Sequence, residues 1–145
     1  HVGAEYGSQL PLQQVRDVVL ELRGSKGMVV SESDPDSVSC GSFFTNPVVS
    51  NSKALEFPED IHKWSMDDQL SVKLSAGWLI ENAGIPKGYS LPGSKAAVSS
   101  KHALAIINTG GATGAEIAEL ARFIQERVSS RWGMNLIPEP NLIGF

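Results

Sequence analysis

The chain has one cysteine, Cys40, among its 145 residues. A single thiol cannot close an internal disulfide, so packing alone must hold the fold, and a reducing cytoplasm is the natural compartment. Basic charge is also scarce: 12 Lys and Arg stand against 16 Asp and Glu, for a formal net charge of −4. Neither a basic stripe nor a polybasic run is present, which sets aside nucleic acid and membrane surfaces as partners. No apolar stretch approaches the ~20 residues that a bilayer span requires. The first residues, His1-Val2-Gly3-Ala4-Glu5, carry neither the charged nor the apolar region of a signal peptide. A start at His rather than Met reads as a piece of a longer protein. The histidines His1, His62 and His102 are too scattered for metal-ligand spacing, so no metal is expected.

What is present is a globular composition, with 41% hydrophobic and 19% charged residues. One domain of this length buries roughly 70% of its unfolded surface and needs no staple. Leu12, Val15, Val19 and Leu22 recur at helical spacing behind Pro11, and that helix should stop near Gly24 or Gly27. Residues 30–40 read as a polar loop, and residues 43–49 as a short strand interrupted at Pro47. Residues 50–70 read as a long irregular connection, a kind that is often functional. A strand over 72–74 leads to a short helix over 76–82, closed by Gly84. The apolar run 103–107 predicts a central buried strand.

Thr113 and Glu116 form a capping box for a helix whose Ile117, Leu120, Ile124 and Val128 share one face. A last strand pair, 135–137 and 141–143, is expected on either side of Pro138-Glu139-Pro140. Helices and strands intermix without regular βαβ alternation. The expected class is therefore α+β, a compact domain with a mostly antiparallel sheet packed against helices.

Several segments carry chemistry-bearing residues. Gly110-Gly111-Ala112-Thr113-Gly114 precedes a helix, but it lacks both the P-loop Lys and dinucleotide-fingerprint spacing, so it reads as a turn with an N-cap. Cys40 and His102 raise the idea of a thiol nucleophile; a small, partly buried cysteine is the plainer account. In Gly41-Ser42-Phe43-Phe44-Thr45-Asn46-Pro47, glycine permits close approach, serine offers a proton, and asparagine offers an amide before a rigid turn. The same residues could simply start a strand, with the two aromatics on opposite faces. In Pro138-Glu139-Pro140, two prolines stiffen the backbone around a carboxylate. Lys26, Lys73 and Lys87 sit near loops or element ends, where solvated lysines are the default.

Taken in order, six segments resemble the C-terminal third of UDP-N-acetylenolpyruvoylglucosamine reductase, or UDP-N-acetylmuramate dehydrogenase (the MurB family). They are Leu22-Arg23 through Lys26, Gly41-Ser42-Phe43-Phe44 through Asn46-Pro47, and Val72-Lys73-Leu74-Ser75-Ala76-Gly77-Trp78-Leu79-Ile80. Lys101-His102-Ala103-Leu104 through Asn108, Gly111-Ala112-Thr113, and Pro138-Glu139-Pro140 through Gly144 complete the set.

The resemblance implies a cytoplasmic step of peptidoglycan synthesis. NADPH reduces FAD, hydride passes to C3 of UDP-N-acetylglucosamine enolpyruvate, and protonation at C2 gives UDP-N-acetylmuramate. It implies that Ser42 is the proton donor, and that Glu139 works with an arginine of the flavin domain on the enol-like intermediate. Lys26 and Asn46 match diphosphate contacts, Lys73 and Lys87 match basic residues near the nucleotide, and His102 matches a polar residue on the uridine side. Which aromatic meets the uracil is left open. The implied organisation is a linker over 1–10 from a missing upstream FAD-binding domain, then a substrate-binding domain over 11–145. Alone, that piece is expected to be inactive and to bind neither FAD nor NADPH. The rival readings are a free-standing nucleotide-sugar binding module without redox activity, and a cysteine hydrolase built on Cys40 and His102.

Overall fold

The computed structural model describes residues 3–144; His1, one of the three histidines weighed above, lies outside them. Helix α1, Leu12–Gly24, forms where the apolar spacing predicted and ends at the first of the two expected glycines. The chain then turns tightly: Met28 N–H donates to the Arg23 carbonyl at 2.9 Å, and Gly27 adopts φ +68°. A Cβ at Gly27 would lie 2.9 Å from the Asp36 Cβ, so this close approach requires glycine.

Two three-stranded antiparallel sheets follow, where a single sheet was expected. One has the order β1-β6-β5 and the other β2-β4-β3. Strand β1 is Ser39–Ser42, β2 is Val48–Ser50, β3 is Lys63–Ser65, β4 is Ser71–Leu74, β5 is Ala96–Val98 and β6 is Ala105–Asn108. The architecture is α+β, and β6 is the buried central strand that its apolar run predicted. Helix α3, Ala76–Glu81, is capped by Ser75, whose hydroxyl accepts the Trp78 N–H at 3.2 Å. Helix α4, Gly114–Trp132, carries the predicted capping box and buries Leu120, Ile124 and Val128 across β5, β6 and α3. None of the helices is long and apolar enough to cross a membrane among the described residues.

The structure differs from the sequence reading in four places. Residues 30–40 are not simply a loop, because they hold a 3-10 turn, Pro35–Ser37, and most of β1's start. The strand expected over 43–49 is split: β1 stops at Ser42 and β2 begins at Val48. Between them Phe43 and Phe44 are both buried, with rings 5.2 Å apart, rather than facing opposite ways. Residues 50–70 contain helix α2, Asn51–Ala54, and strand β3, both too short to leave a periodic signal. Residues 135–137 and 141–143 form no strand pair. Instead the segment around Pro138 runs antiparallel to that around Phe44, because prolines without an N–H cannot carry a hairpin ladder.

The apolar core gathers Phe43 and Phe44 with Leu74, Leu79, Ile80, Ile124 and Leu136. It lies directly behind the segment that carries Ser42. Rigid packing there fixes what the exposed edge of that segment presents.

Candidate functional site

Ser42 ends β1 just after an irregularity in the pairing with β6: Ser39 faces Ile107 and Ser42 faces Ala105, so one extra residue is accommodated. Gly41 takes φ +82° there. A bulge with a left-handed glycine bends the strand and re-aims the following side chain. The consequence is that Ser42 lines three adjoining cavities at once.

The largest cavity, 630 Å³, brings together Lys26, Ser42, Asn46, Lys87 and His102 from separate parts of the chain. Lys73 and Glu139 are not in it. They line a neighbouring pocket of 290 Å³ that again includes Ser42 and Asn46. Glu139 also borders a depression of 450 Å³ with Arg23, Met28, Cys40, Gly41 and Ser42. Every candidate from the sequence thus lies on a connected surface, with Ser42 common to its parts.

A buried carboxylate holds that surface together. Asp36 Oδ2 accepts the hydroxyls of Ser99 at 3.0 Å and Ser100 at 2.7 Å. Ser99 Oγ in turn accepts the amides of Lys101 at 3.0 Å and His102 at 3.2 Å. Because Gly27 packs against Asp36, the same group positions the turn after Lys26 and the turn bearing His102. Lys101 adds an ion pair with Asp34 at 2.8 Å, and its hydrogen bond is the largest cause holding that carboxyl below its ordinary pKa.

The electrostatics favour an anion in the large cavity. Lys26 and Lys87 line it beside His102, with Asp60 and Glu81 also on its wall, while Lys101 is already paired with Asp34. Burial lowers the His102 pKa, and the ammonium groups of Lys26 and Lys87 push it further down, opposed by Glu81. The ring is therefore neutral at pH 7. Its Nδ1 accepts the Leu104 N–H at 3.1 Å, so the proton resides on Nε2, a donor for a ligand. Asn46 Oδ1 accepts the Ala76 N–H at 2.9 Å, which fixes the amide and leaves Nδ2 as its other donor group.

Sequence reasoning missed part of this surface. Trp64, Trp78 and Lys101 all line the large cavity. Trp78 donates its Nε1–H to Asp60 at 3.1 Å, and the Trp64 ring meets His62 edge-on at 4.4 Å. Phe57, the other aromatic of the long connection, is buried in the core against Trp132 and does not border the cavity. Cys40 is exposed, not partly buried, and lines a different cavity from His102, so the two do not form a nucleophile pair. The amides of Gly110 and Ala112 both donate to Asn108 Oδ1 at 2.9 Å, which makes the glycine segment a self-satisfied turn. Glu116 takes the amides of Thr113 and Lys95, and its pKa falls to about 2.

The profile of the family described as "UDP-N-acetylenolpyruvoylglucosamine reductase, C-terminal domain" matches residues 34–143. The chain is 48% identical over 164 residues to the UDP-N-acetylenolpyruvoylglucosamine reductase of Leifsonia xyli subsp. xyli, covering 96% of this chain and 43% of that protein. It is 45% identical to the reductase of the same name from Thermobifida fusca, covering 99% of this chain and 42% of that protein. For the reductase of Mycolicibacterium gilvum the identity is 44%, again over 99% of this chain and 42% of the relative. The chain therefore spans about two fifths of the length of these relatives.

Proposed function

The chain belongs to the UDP-N-acetylenolpyruvoylglucosamine reductase family, as its C-terminal domain, and on that premise we propose that it binds the substrate of a cytoplasmic reductase of peptidoglycan synthesis. The substrate is UDP-N-acetylglucosamine enolpyruvate and the product UDP-N-acetylmuramate. Hydride joins C3 and a proton joins C2, so the carbon–carbon double bond becomes single.

One observation carries the reading: Ser42 borders both the cationic cavity and the pocket of Glu139. A substrate with a diphosphate at one end and an unsaturated carboxylate at the other needs that adjacency. Lys26 and Asn46 meet the diphosphate, where charge-assisted hydrogen bonds to fixed donors are strongest. Lys87 and His102 stand on the nucleotide side, with Trp64 and Trp78 on the wall of the same cavity as aromatics for the uracil, and Lys73 approaches from the adjoining pocket. Ser42 holds the proton for C2. A serine is a weak acid, yet a carbanion-like centre is a strong base, so a well-placed weak acid suffices. Glu139, stiffened by its flanking prolines, supports the developing enol with an arginine from outside this chain. That support is strong only where water is excluded.

The depression beside Ser42 has room for the edge of a flat ring, because Gly41 offers open space where a Cβ would stand. FAD, held mainly by the rest of the full-length enzyme and reduced by NADPH, would supply the hydride when bound. By itself the chain is then inactive and colourless, yet still takes UDP-sugars weakly. Calorimetric titration of the chain with UDP-N-acetylglucosamine enolpyruvate tests the binding half. Weaker binding by Lys26→Ala and Asn46→Ala supports the reading, and binding unchanged in both variants contradicts it.

A further inference from the structure

Helix α1 is amphipathic, yet none of its residues is fully buried, and only Val18 and Leu22 of its apolar face are half-buried. Leu12, Val15, Val18, Val19 and Leu22 share one stripe, while Gln13, Asp17 and Glu21 lie opposite, with Gln13 donating to Asp17 at 2.7 Å. A stripe of that width normally faces a core. Here Leu12 is 84% exposed, Val15 40% and Val19 46%, and no residue of the helix enters the apolar core. Helices of fewer than ~12–15 residues are marginal in water unless such a face is packed. This one has 13 residues and no side-chain N-cap hydrogen bond.

We propose that the apolar face of α1 is the docking surface for the upstream part of the full-length reductase, and that α1 packs as part of that unit. The proposal rests on the reading under Proposed function, and two further facts select the occupant. The match to the family's C-terminal domain begins at residue 34, beyond α1, although the relatives align across nearly the whole chain. More than half of each relative's length also lies outside the aligned part, enough for a domain to cover the helix. On this proposal the domain boundary would move from the linker over 1–10 to the stretch between α1 and Pro35.

The position has a consequence for the site. The end of α1 is continuous with the catalytic surface: Arg23 and Met28 line a pocket with Val30, Cys40 and Gly41, and Val30 is itself 90% exposed. A unit seated on α1 extends over Val30 and reaches the depression beside Ser42 and Glu139. Docking thus dries the carboxylate that is exposed in this chain.

The test places Val15→Glu with Val19→Glu in both the 145-residue chain and the full-length enzyme. Glutamate favours helix more than valine, so the change does not act by unwinding α1. The melting temperature of the chain is expected to stay unchanged, while that of the full-length enzyme falls by about 5 °C or more with loss of bound flavin. Amide exchange over 12–24 supplies a reading free of substitutions: fast in the chain, protected in the full-length enzyme. Equal effects in both proteins overturn the inference, as does fast exchange in both. A dimer of the chain that the substitutions dissociate also overturns it, because the occupant is then a second copy. A full-length parent without reductase turnover sinks the functional reading instead, and the melting and exchange results still decide the docking.

Discussion

The backbone of Glu139 is bound to that of Phe43: the Glu139 N–H donates to the Phe43 carbonyl at 2.9 Å. Phe43 donates its own amide to Leu104 at 2.7 Å, so one residue links the C-terminal segment to the turn that precedes β6. Ser42 is the next residue back along the chain. The proposed acid and the proposed carboxylate, almost a hundred residues apart in sequence, are therefore neighbours through main-chain pairing. Side-chain contact is not what joins them.

That relationship depends on the two phenylalanines staying in the core. Phe44→Ala removes a ring that is 1% exposed, opposite Pro138. It should cost about 3–5 kcal/mol in urea unfolding, the usual range for such cavities. A loss under 1 kcal/mol would mean that the segment is not anchored as described.

Gly41→Ala probes the bulge directly. A Cβ there meets no atom within 4 Å, so the cost is backbone strain at φ +82° and not a clash. The expected destabilisation is about 1–2 kcal/mol. A larger fall is expected in turnover of the full-length enzyme, because Ser42 is re-aimed. Unaltered turnover would show that the bulge does not set the serine.

Asp36→Ala removes the acceptor shared by Ser99 and Ser100. Leaving buried donors unpaired costs about 1–3 kcal/mol. UDP-sugar binding should weaken as well, although Asp36 touches no ligand, since the turns bearing Lys26 and His102 lose their common support. Calorimetry with intact affinity would argue against that positioning role.

His102 gives a pH signature. Its folded pKa lies below the ordinary 6.5, so the unfolded chain binds the proton more readily. Its contribution is thus fully present above pH 6.5 and is lost as pH falls through that value toward the folded pKa. Unfolding measured between pH 7.5 and about 5 should show a shallower loss of stability for His102→Gln than for the parent. In NMR titrations an anion between Lys26 and Lys87 should raise the His102 pKa, because it offsets the two cations that depress it. No upward movement on saturation with UDP-sugar would place the diphosphate elsewhere.

The parts of the fold that could be read from sequence were those with a long period or a local motif. Helix α4 announced itself through Thr113, Glu116 and its apolar face, and β6 through its unbroken apolar run. Strand β1 could not be found that way, because Ser39-Cys40-Gly41-Ser42 has no strand composition and is extended only through pairing with β6. Strand β5 and helix α2, at three and four residues, are too short for any periodicity. The candidate site followed the same rule. Ser42, Asn46 and Glu139 were visible as motif residues with a role, whereas Lys101 stood in a matching segment without one and Trp64 in none; both enter the cavity through turns closed by Asp36 and by the β3–β4 pairing.

On the proposed function, reduction by the full-length enzyme has two halves, flavin reduction and flavin reoxidation, and only the second would need the proton proposed for Ser42. Stopped-flow absorbance of the flavin separates reduction by NADPH from reoxidation by UDP-N-acetylglucosamine enolpyruvate. Ser42→Ala should leave the first half nearly unchanged and slow the second by about 10²–10⁴-fold, the usual contribution of a positioned general acid. Ser42→Cys keeps a proton in a similar place and should lose less. Substrate-driven reoxidation within a few-fold of the parent in Ser42→Ala would contradict the account, and Ser42 would then be only the residue that ends β1.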